Sequence, residues 1–391
     1  MRILLAHNYY QQPGGEDRVF EAECALLESR GHEVVRFVLH NDAVEGLSAA
    51  RLVAHTFWNR ATYRAVYDLV SRRRIQIAHF HNTLPLISPA AFHAARAAGA
   101  AVVHTLHNYR LACPGATLFR AGRTCDACVG RSFAWPAIIH GCYRGSRGAS
   151  GVVAFMVALH RALGTWRRFV DAYITPSQAA RRVLLRGGLP PAKVLVRANF
   201  IYPSPSPGDG SGGYALFVGR LSAEKGIRTL LDAWRIVGSD VSLKIVGDGP
   251  LAELVHSAAV PGVEWLGRQP PQAVGQLMSR AAVVVVPSVC QETFGMTAVE
   301  SLARGTPVIA SRIGALAEIV DHGRTGLLVE PGSAEGLAAA VRRLASDART
   351  SAAMRTAARG VFEAAYGPEP AYAGIMKIYG RLAAERSAYK S

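Results

Sequence analysis

Residues 281–311 read AAVVVVPSVCQETFGMTAVESLARGTPVIAS, and this stretch decides the fold class. Its first part is apolar and contains four consecutive valines, which favour a strand buried on both faces. A helix-like segment follows, and after a turn the chain returns to a second apolar run. A strand, a helix and a second strand in this order predict a βαβ unit with parallel strands.

The same alternation extends over the whole chain. In the first half the strand-like runs are RILLAHN, HEVVRFVL, IQIAHFHN, AAVVHTLHN, DAYITPS and VLVRANFI. In the second half they are YALFVGR, SLKIVGD, VEWLGR, AAVVVVPS, TPVIAS and TGLLVE. Helix-like segments separate most of them. We therefore expect an α/β protein with two doubly wound, Rossmann-like domains that face a cleft, with ligands beyond the carboxyl ends of the strands.

The domain boundaries follow from composition. The stretch YPSPSPGDGSGG is rich in Pro, Ser and Gly, as linkers are. Near the C-terminus, Ile375, Ile378, Tyr379 and Leu382 recur at helical spacing, which predicts an amphipathic helix packed back toward the N-terminal domain. The predicted parts are an N-terminal domain at 1–201 with a cysteine-containing insert at 111–150, a linker at 202–213, a C-terminal domain at 214–367 and a C-terminal helix at 368–391.

Length and composition limit the class of protein. A chain of 391 residues is too long for one ordinary core, and 50% hydrophobic with 18% charged residues describes a globular protein. No apolar stretch reaches the roughly 18–20 residues of a membrane span, and the longest, at 151–159, has about half that length. The N-terminus lacks the features of a signal peptide. We therefore expect a cytoplasmic protein.

The positive charge is concentrated in the first half of the chain. The net charge is +16; residues 1–200 hold 25 Lys and Arg against 11 Asp and Glu, and residues 201–391 hold 19 against 17. Such a surface attracts phosphorylated substrates, anionic lipid or nucleic acid, although a preference for Arg in a GC-rich genome would also produce it. No nucleic-acid-binding module and no aromatic stacking pattern accompany the charge, so a nucleic-acid partner is not expected.

Two carboxylates, Glu292 and Glu300, lie eight positions apart around the pair Phe294–Gly295. If a helix begins near Gly295 or Met296, the amides there are available to bind an anion such as phosphate. Carboxylates would repel that phosphate, so we expect them to bind neutral hydroxyl groups, as a sugar offers. Acidic residues near a helix start are also common for purely structural reasons.

A second motif is FVGRLSAEKGIRTLLDAW at residues 217–234, with the pattern of a strand, a turn and a helix. Arg220 and Lys225 fall at the turn, where a guanidinium fork and an ammonium could clamp a diphosphate. They could equally be ordinary surface cations.

Glycines mark two further turns at strand ends. Gly14 and Gly15 follow the first strand and would let the backbone approach a ligand closely. Gly247 lies in IVGDGP, which could line a nucleoside pocket. The pattern G-x-G-x-x-G does not occur, which disfavours a nicotinamide site.

Together these motifs resemble the retaining glycosyltransferases of family 4, which have the GT-B fold. The E-x7-E motif is matched by Glu292 and Glu300, and the G-R-x4-K-G motif by Gly219, Arg220, Lys225 and Gly226. The G-G-x-E loop is matched by Gly14, Gly15 and Glu16. The resemblance covers essentially the whole chain, and it is the ordered set that makes it specific.

The resemblance implies roles for these residues. The C-terminal domain would bind a nucleotide sugar, with Glu300 at the ribose and with Arg220 and Lys225 at the diphosphate. Glu292 and the amides of Phe294, Gly295 and Met296 would position the transferred sugar, and the N-terminal domain would bind the acceptor. Such an acceptor is a sugar or a lipid-linked molecule, as in polysaccharide or glycolipid synthesis.

The family also has a histidine that faces the 6-hydroxyl of the sugar, and His107 is its best match here. His104 is the weaker candidate, while His79 and His81 could touch the acceptor; any of them could instead be a packing residue. The resemblance implies retention, with the leaving phosphate taking the acceptor proton on the same face. The chain has no D-x-D, so we expect no catalytic metal or other cofactor. The alternatives are a GT-B epimerase or a phosphorylase.

Two further features lie between residues 111 and 173. Cys113, Cys125, Cys128 and Cys142 could hold a structural zinc ion or remain free thiols, and disulfides are disfavoured in the cytoplasm. The stretch SGVVAFMVALHRALGTWRRFVDAY combines apolar residues with Trp166 and basic residues. Relatives dock on anionic membranes through such elements, so a peripheral membrane contact is expected, against the alternative of a core helix with a basic face.

Overall fold

The structure is a computed structural model that describes residues 1–12 and 14–388. The strands are β1 (Arg2–Tyr9), β2 (Glu33–His40), β3 (Ile77–Phe80), β4 (Ala101–Thr105), β5 (Phe119–Arg120), β6 (Arg123–Thr124), β7 (Ala172–Thr175), β8 (Val194–Val196), β9 (Ala215–Val218), β10 (Leu243–Val246), β11 (Val263–Trp265), β12 (Val283–Val286), β13 (Val308–Ser311) and β14 (Gly326–Val329).

Helices occupy most of the connections between these strands. They are α1 (Gly15–Ser29), α2 (Ala49–Phe57), α3 (Arg60–Arg73), α4 (Ala90–Ala97), α5 (Trp135–Ile139), α6 (Arg147–Ala162), α7 (Gln178–Arg186), α8 (Ile227–Val237), α9 (Ala252–Ser257), α10 (Pro271–Arg280), α11 (Met296–Ala303), α12 (Leu316–Ile319), α13 (Ala334–Ser346), α14 (Ala348–Val361) and α15 (Pro368–Ala388).

The chain folds as two α/β units. Unit 1 comprises residues 1–117, 126–202 and the C-terminal segment from Pro368, and unit 2 comprises residues 118–125 and 203–367. Short β5 and β6 form an antiparallel hairpin that belongs to unit 2. Each unit contains one six-stranded sheet, so the predicted doubly wound α/β fold class is confirmed.

In unit 1 the strand order is β2-β1-β3-β4-β7-β8, and all pairs are parallel. The central strands β3 and β4 are buried along their whole length, because helices cover both faces of a parallel sheet. Strand β2 lies on one side of β1, and β3 and the later strands lie on the other side, so the strand order reverses between β1 and β3. Loops that leave this point open a crevice at the carboxyl edge, where doubly wound sheets bind their ligands.

In unit 2 the order is β11-β10-β9-β12-β13-β14, again with parallel pairs. The reversal falls between β9 and β12. The two strands are adjacent in the sheet although about 65 residues separate them in sequence. As a result, the loop that follows β9 and the loop that follows β12 lie side by side.

The C-terminal helix α15 completes the core of unit 1. Ile375, Ile378, Tyr379 and Leu382 are all buried, as their spacing predicts, and they pack in one cluster with residues of the sheet. The Tyr379 hydroxyl lies 2.6 Å from His79 Nδ1. The last part of the predicted helix, residues 389–391, lies outside the described residues.

Two regions hold elements that the sequence patterns did not predict. Helices α2 and α3 fill the stretch between β2 and β3, and the cysteine-containing insert contributes the hairpin and α5. Among the helices that the structure describes, none is long and apolar enough to cross a membrane.

Candidate active site

Lys225 and Glu292 meet at the carboxyl edge of the sheet in unit 2. Lys225 Nζ lies 2.8 Å from Glu292 Oε1, and Ser288 Oγ donates a hydrogen bond to the same oxygen. The Glu292 side chain is 14% exposed and that of Lys225 is 32% exposed. Burial lowers the pKa of Lys225, but the Glu292 carboxylate outweighs it and raises that pKa above its ordinary value. Lys225 therefore stays charged at the mouth of the site.

Backbone contacts fix the loops that carry this pair. The amide of Val289 donates to the carbonyl of Glu224 (2.9 Å), which joins the loop after β12 to the loop after β9. Gly226 has φ +74°, and a Cβ there would come within 1.9 Å of the Pro287 carbonyl oxygen. Only glycine permits both this conformation and this close approach. The residue that follows Lys225 therefore cannot be replaced without disturbing the backbone that positions Lys225.

The glycine turn after β10 reaches the same edge. Gly247 has φ +140°, and a Cβ there would lie 1.8 Å from the Gly219 carbonyl oxygen. The Leu221 amide donates to the Asp248 carbonyl (2.9 Å), so the two turns are bonded together. The structure thus brings the predicted Gly247 against the G-R-x4-K-G motif.

Helix α11 begins where the sequence predicts. Gly295 is its N-cap residue, and the Gly295 carbonyl accepts the Val299 amide (3.1 Å). The first amides of any helix lack carbonyl partners inside it, so those at Met296 and just after it can serve an incoming ligand. Phe294 is buried, with its ring edge-on to Tyr366 at 5.9 Å between centroids.

Glu300 lies in the second turn of α11 and is half-buried. Its backbone carbonyl accepts a hydrogen bond from Arg304 Nη1 (2.9 Å), which ties the turn to the next segment. Arg220 is exposed, and no carboxylate among the described residues forms an ion pair with it. Arg220 is therefore available to an anionic ligand, whereas Lys225 already holds a carboxylate.

A pocket opens at the carboxyl edge of the unit 1 sheet, beyond β3 and β4, and we call it the unit 1 pocket. Its lining includes Glu16, His81, His104, His107 and Arg110. His107 is buried, and its Nε2 lies 2.9 Å from His81 Nδ1. Burial and then the neighbouring His81 lower the pKa of His107 well below its ordinary value, so His107 is neutral near pH 7.

His79 is part of the core and not of the pocket lining. It is fully buried, with Nε2 2.7 Å from Thr105 Oγ1 and Nδ1 2.8 Å from a Glu23 oxygen. Glu23, His79 and His81 are close enough together to share a metal ion, and none of the four clustered cysteines belongs to such a group in the described part of the chain. Arg197 also pairs with Glu23, and this cation already neutralises the carboxylate. The trio is best explained as a buried polar network.

The first turn of α1 contains an acid that the sequence reasoning missed. Asp17 lies 2.6 Å from His7 Nε2, and its other oxygen accepts the Gly14 amide (2.6 Å), which caps α1. The three-residue spacing of a capping box could have revealed it. Glu16, which the G-G-x-E match selected, accepts hydrogen bonds from Asn108 and Tyr10.

No disulfide joins Cys113, Cys125, Cys128 and Cys142 in this structure. Structural zinc at these cysteines stays a prediction. Trp166 does not belong to an exposed membrane element, contrary to the sequence-based expectation. It is 5% exposed, and its Nε1 donates to the Val157 carbonyl at 3.1 Å.

The chain matches two models of known families. Residues 13–204 match the one described as Glycosyltransferase Family 4, and residues 212–347 match Glycosyl transferases group 1. The chain belongs to glycosyltransferase family 4. A curated relative of this family 4 protein is an uncharacterised glycosyltransferase of Methanocaldococcus jannaschii, 33% identical over 178 residues. That match covers 44% of the chain and half of the relative's length.

Solved structures share the fold of this family 4 protein. Sucrose-phosphate synthase from Thermosynechococcus elongatus aligns with a TM-score of 0.72 and 19% identity, over 98% of this chain and 99% of that one. Anabaena HepE in complex with UDP aligns with a TM-score of 0.67 and 18% identity, over 97% of this chain and all of that one. At this identity the likeness establishes the GT-B fold.

Proposed function

We propose that the protein is a retaining glycosyltransferase that moves a sugar from a nucleotide diphosphate sugar to an acceptor hydroxyl. The observation that carries the proposal is the pair Lys225–Glu292, at 2.8 Å, in the loops after β9 and β12. A cation, a carboxylate and a helix start lie together there, and they suit a ligand that carries both phosphates and sugar hydroxyls.

The proposed roles follow from charge. As the bond to the anomeric carbon breaks, negative charge develops on the diphosphate, and Arg220 and Lys225 would stabilise it. Glu292 and the amides from Phe294 to Met296 would orient the sugar, and Glu300 would hold the ribose. His107 would contact the sugar as a neutral hydrogen-bonding group, as the low pKa of its ring allows.

Retention needs a base on the face from which the diphosphate leaves. The leaving phosphate oxygen itself would accept the proton of the acceptor hydroxyl as the new glycosidic bond forms. The acceptor oxygen then carries no net charge, and the proton stays on the nucleotide diphosphate. This step needs neither a metal nor a cofactor, and catalysis without either one stays a prediction.

Thermal-shift titration with UDP, GDP and ADP tests the donor class. The UDP in the Anabaena HepE structure makes UDP the first candidate. Stabilisation by a nucleoside diphosphate in the wild type, and its loss in Lys225→Ala, is the expected result; no stabilisation by any of the three contradicts the proposal. Turnover of the nucleotide sugar without an acceptor would instead favour an epimerase.

We also propose that unit 1 contacts an anionic membrane surface, where a lipid-linked acceptor would be found. Residues 127–170 contain six arginines and no Asp or Glu. Phe155, Leu159 and Leu163 are exposed along one side of α6 and its end, with Phe155 57% exposed. We call these three residues the apolar ridge.

Helix α5 extends the apolar ridge. It packs on α6, with Phe133 and Phe155 rings 4.7 Å apart, and it exposes Trp135 and Ile139. Large apolar side chains flanked by cations, with no carboxylate nearby in sequence, match the interior and the headgroups of an anionic bilayer surface. This support comes from Phe155 and its neighbours and not from the buried Trp166.

A further inference from the structure

Arg110 has a buried guanidinium nitrogen that no protein group satisfies. Its Nη1 is inaccessible to solvent and has no hydrogen-bond partner among the residues that the structure describes. Its guanidinium carbon lies 5.2 Å from the centroid of the Tyr143 ring. Burying such a nitrogen without an acceptor is costly, so a site like this is expected to serve a ligand.

The carboxylate in the same pocket is already engaged. Glu16 accepts a hydrogen bond from Asn108 Nδ2 (2.9 Å) on one oxygen and from the Tyr10 hydroxyl (3.0 Å) on the other. Asn108 Oδ1 in turn accepts the Arg110 backbone amide at 3.1 Å. These bonds fix the start of the loop that follows β4, and they direct the Glu16 oxygens to Asn108 and Tyr10. Glu16 and Arg110 therefore form no ion pair.

A second unpaired polar atom lines the same pocket. His104 is 7% exposed, and its Nδ1 has no hydrogen-bond partner in the described ranges. Both Arg110 and His104 belong to the lining, together with His107. The guanidinium requires an anionic ligand, and His104 Nδ1 can form a hydrogen bond with a polar group of the same ligand, as donor or acceptor according to its tautomer.

We propose that the unit 1 pocket binds an acceptor that carries a phosphate or carboxylate group, and that Arg110 receives this group. The inference rests on the proposed function, because it assigns the pocket to the acceptor of the transfer. The planar guanidinium can donate two parallel hydrogen bonds to a phosphate or carboxylate group. The negative charge of that group would compensate the positive charge of Arg110. A neutral glycan would leave Arg110 unpaired.

Calorimetric titration with inorganic pyrophosphate tests this inference, because the probe fits both proposed anion sites. We expect two sites in the wild type. Arg110→Gln should lose one of them, or weaken it at least about tenfold, since a charge-assisted pair is removed. Lys225→Ala should lose or weaken only the other. The matched control is Arg72→Gln, an exposed arginine of α3 in unit 1, which should keep both sites.

The outcomes separate the two proposals. If Arg110→Gln binds pyrophosphate as the wild type does, or if the wild type has one site that Lys225→Ala removes, the acceptor inference is wrong and the proposed donor site stands. If Lys225→Ala changes nothing, the donor site fails instead. If the melting curve shows that Arg110→Gln does not fold, Arg110→Lys replaces it. Lysine keeps the charge but cannot donate two parallel hydrogen bonds, so the affinity for pyrophosphate should fall. An unchanged affinity overturns the inference.

Discussion

Lys225 Nζ and Glu292 Oε1 lie 2.8 Å apart, although 67 positions separate the two residues in the sequence. Lys225 lies in the loop after β9 and Glu292 in the loop after β12, and the two residues meet because these strands are neighbours in the sheet. The pair orients a cation and an acid at a partly buried site. A diphosphate that binds Lys225 would have to compete with Glu292 or share the ammonium with it.

Lys225→Ala should reduce sugar transfer by about 100-fold or more, because a group that stabilises the leaving diphosphate is removed. Steady-state turnover at saturating donor measures the effect. Lys244→Ala is the matched control: Lys244 lies on β10 and forms a 3.1 Å ion pair with Glu264, away from the proposed roles. Wild-type turnover in Lys225→Ala would contradict the assignment.

Glu300→Ala should weaken donor binding more than it slows turnover, because the proposed contact is to the ribose and not to the reacting bond. The KM for the donor should rise about tenfold or more, as expected when a carboxylate that accepts two hydroxyls is lost. Donor titration of initial rates gives KM and kcat separately. Glu335→Ala in α13 serves as control, and an unchanged KM in Glu300→Ala would remove the ribose role.

Gly226→Ala should destabilise unit 2 by about 2–4 kcal/mol, since φ is +74° and the added Cβ would meet the Pro287 carbonyl oxygen at 1.9 Å. Gly360→Ala is the comparison, because no atom lies within 4 Å of a Cβ in that helical position. It should be neutral or stabilise the protein by up to about 1 kcal/mol. Urea denaturation of both variants measures the difference. Equal stability of the two variants would mean that the Gly226 backbone is not as constrained as its contacts indicate.

Acid should destabilise unit 1 from about pH 6.5 downwards. Burial lowers the pKa of His81 and that of His104 to about 3, whereas an unfolded histidine titrates near 6.5. Between these values the unfolded chain binds more protons, so stability falls as pH falls, by at most about 1.4 kcal/mol per pH unit for each histidine. Melting temperatures at pH 7.5, 6 and 5 should therefore decrease in that order. His104→Gln should have a shallower dependence and the exposed His256→Gln an unchanged one; a flat wild-type profile would contradict the burial of these rings.

Phe155→Ser combined with Leu159→Ser should reduce binding to vesicles that contain phosphatidylglycerol by about tenfold or more, because two apolar side chains no longer enter the bilayer. Flotation at low salt measures the bound fraction. Ile236→Ser, which removes an exposed apolar side chain from unit 2, should bind as the wild type does. Vesicles of pure phosphatidylcholine should bind less protein in every case. If the wild type does not float with anionic vesicles, the membrane proposal falls.

Much of the fold was predictable because its signals are local. Each strand-like run became a strand, and the spacing of Ile375 and Ile378 predicted the buried face of α15. The helix start after Gly295 was predicted as well. Elements within the cysteine-containing insert were not predicted, since short helices and hairpins there lack a periodic apolar pattern.

The candidate site was predictable in its residue types but not in its contacts. The sequence selected Glu16 from the G-G-x-E match, but it did not reveal that the neighbouring Asp17 caps α1. It selected Trp166 as a membrane residue, yet Trp166 is buried while Phe155 is exposed. Arg110 was not selected, because a buried guanidinium nitrogen without a hydrogen-bond acceptor is recognised only when its surroundings are known.

The sequence by itself determined the alternation of strands and helices, the glycines at the turns and the identity of the charged residues, because backbone preference and burial periodicity act over a few neighbouring residues. The tertiary structure alone decided which strands became neighbours. That choice brought Lys225 to Glu292 and left Arg110 without an ion pair to any carboxylate of the described residues, since distances between remote residues depend on strand order and packing and not on local pattern.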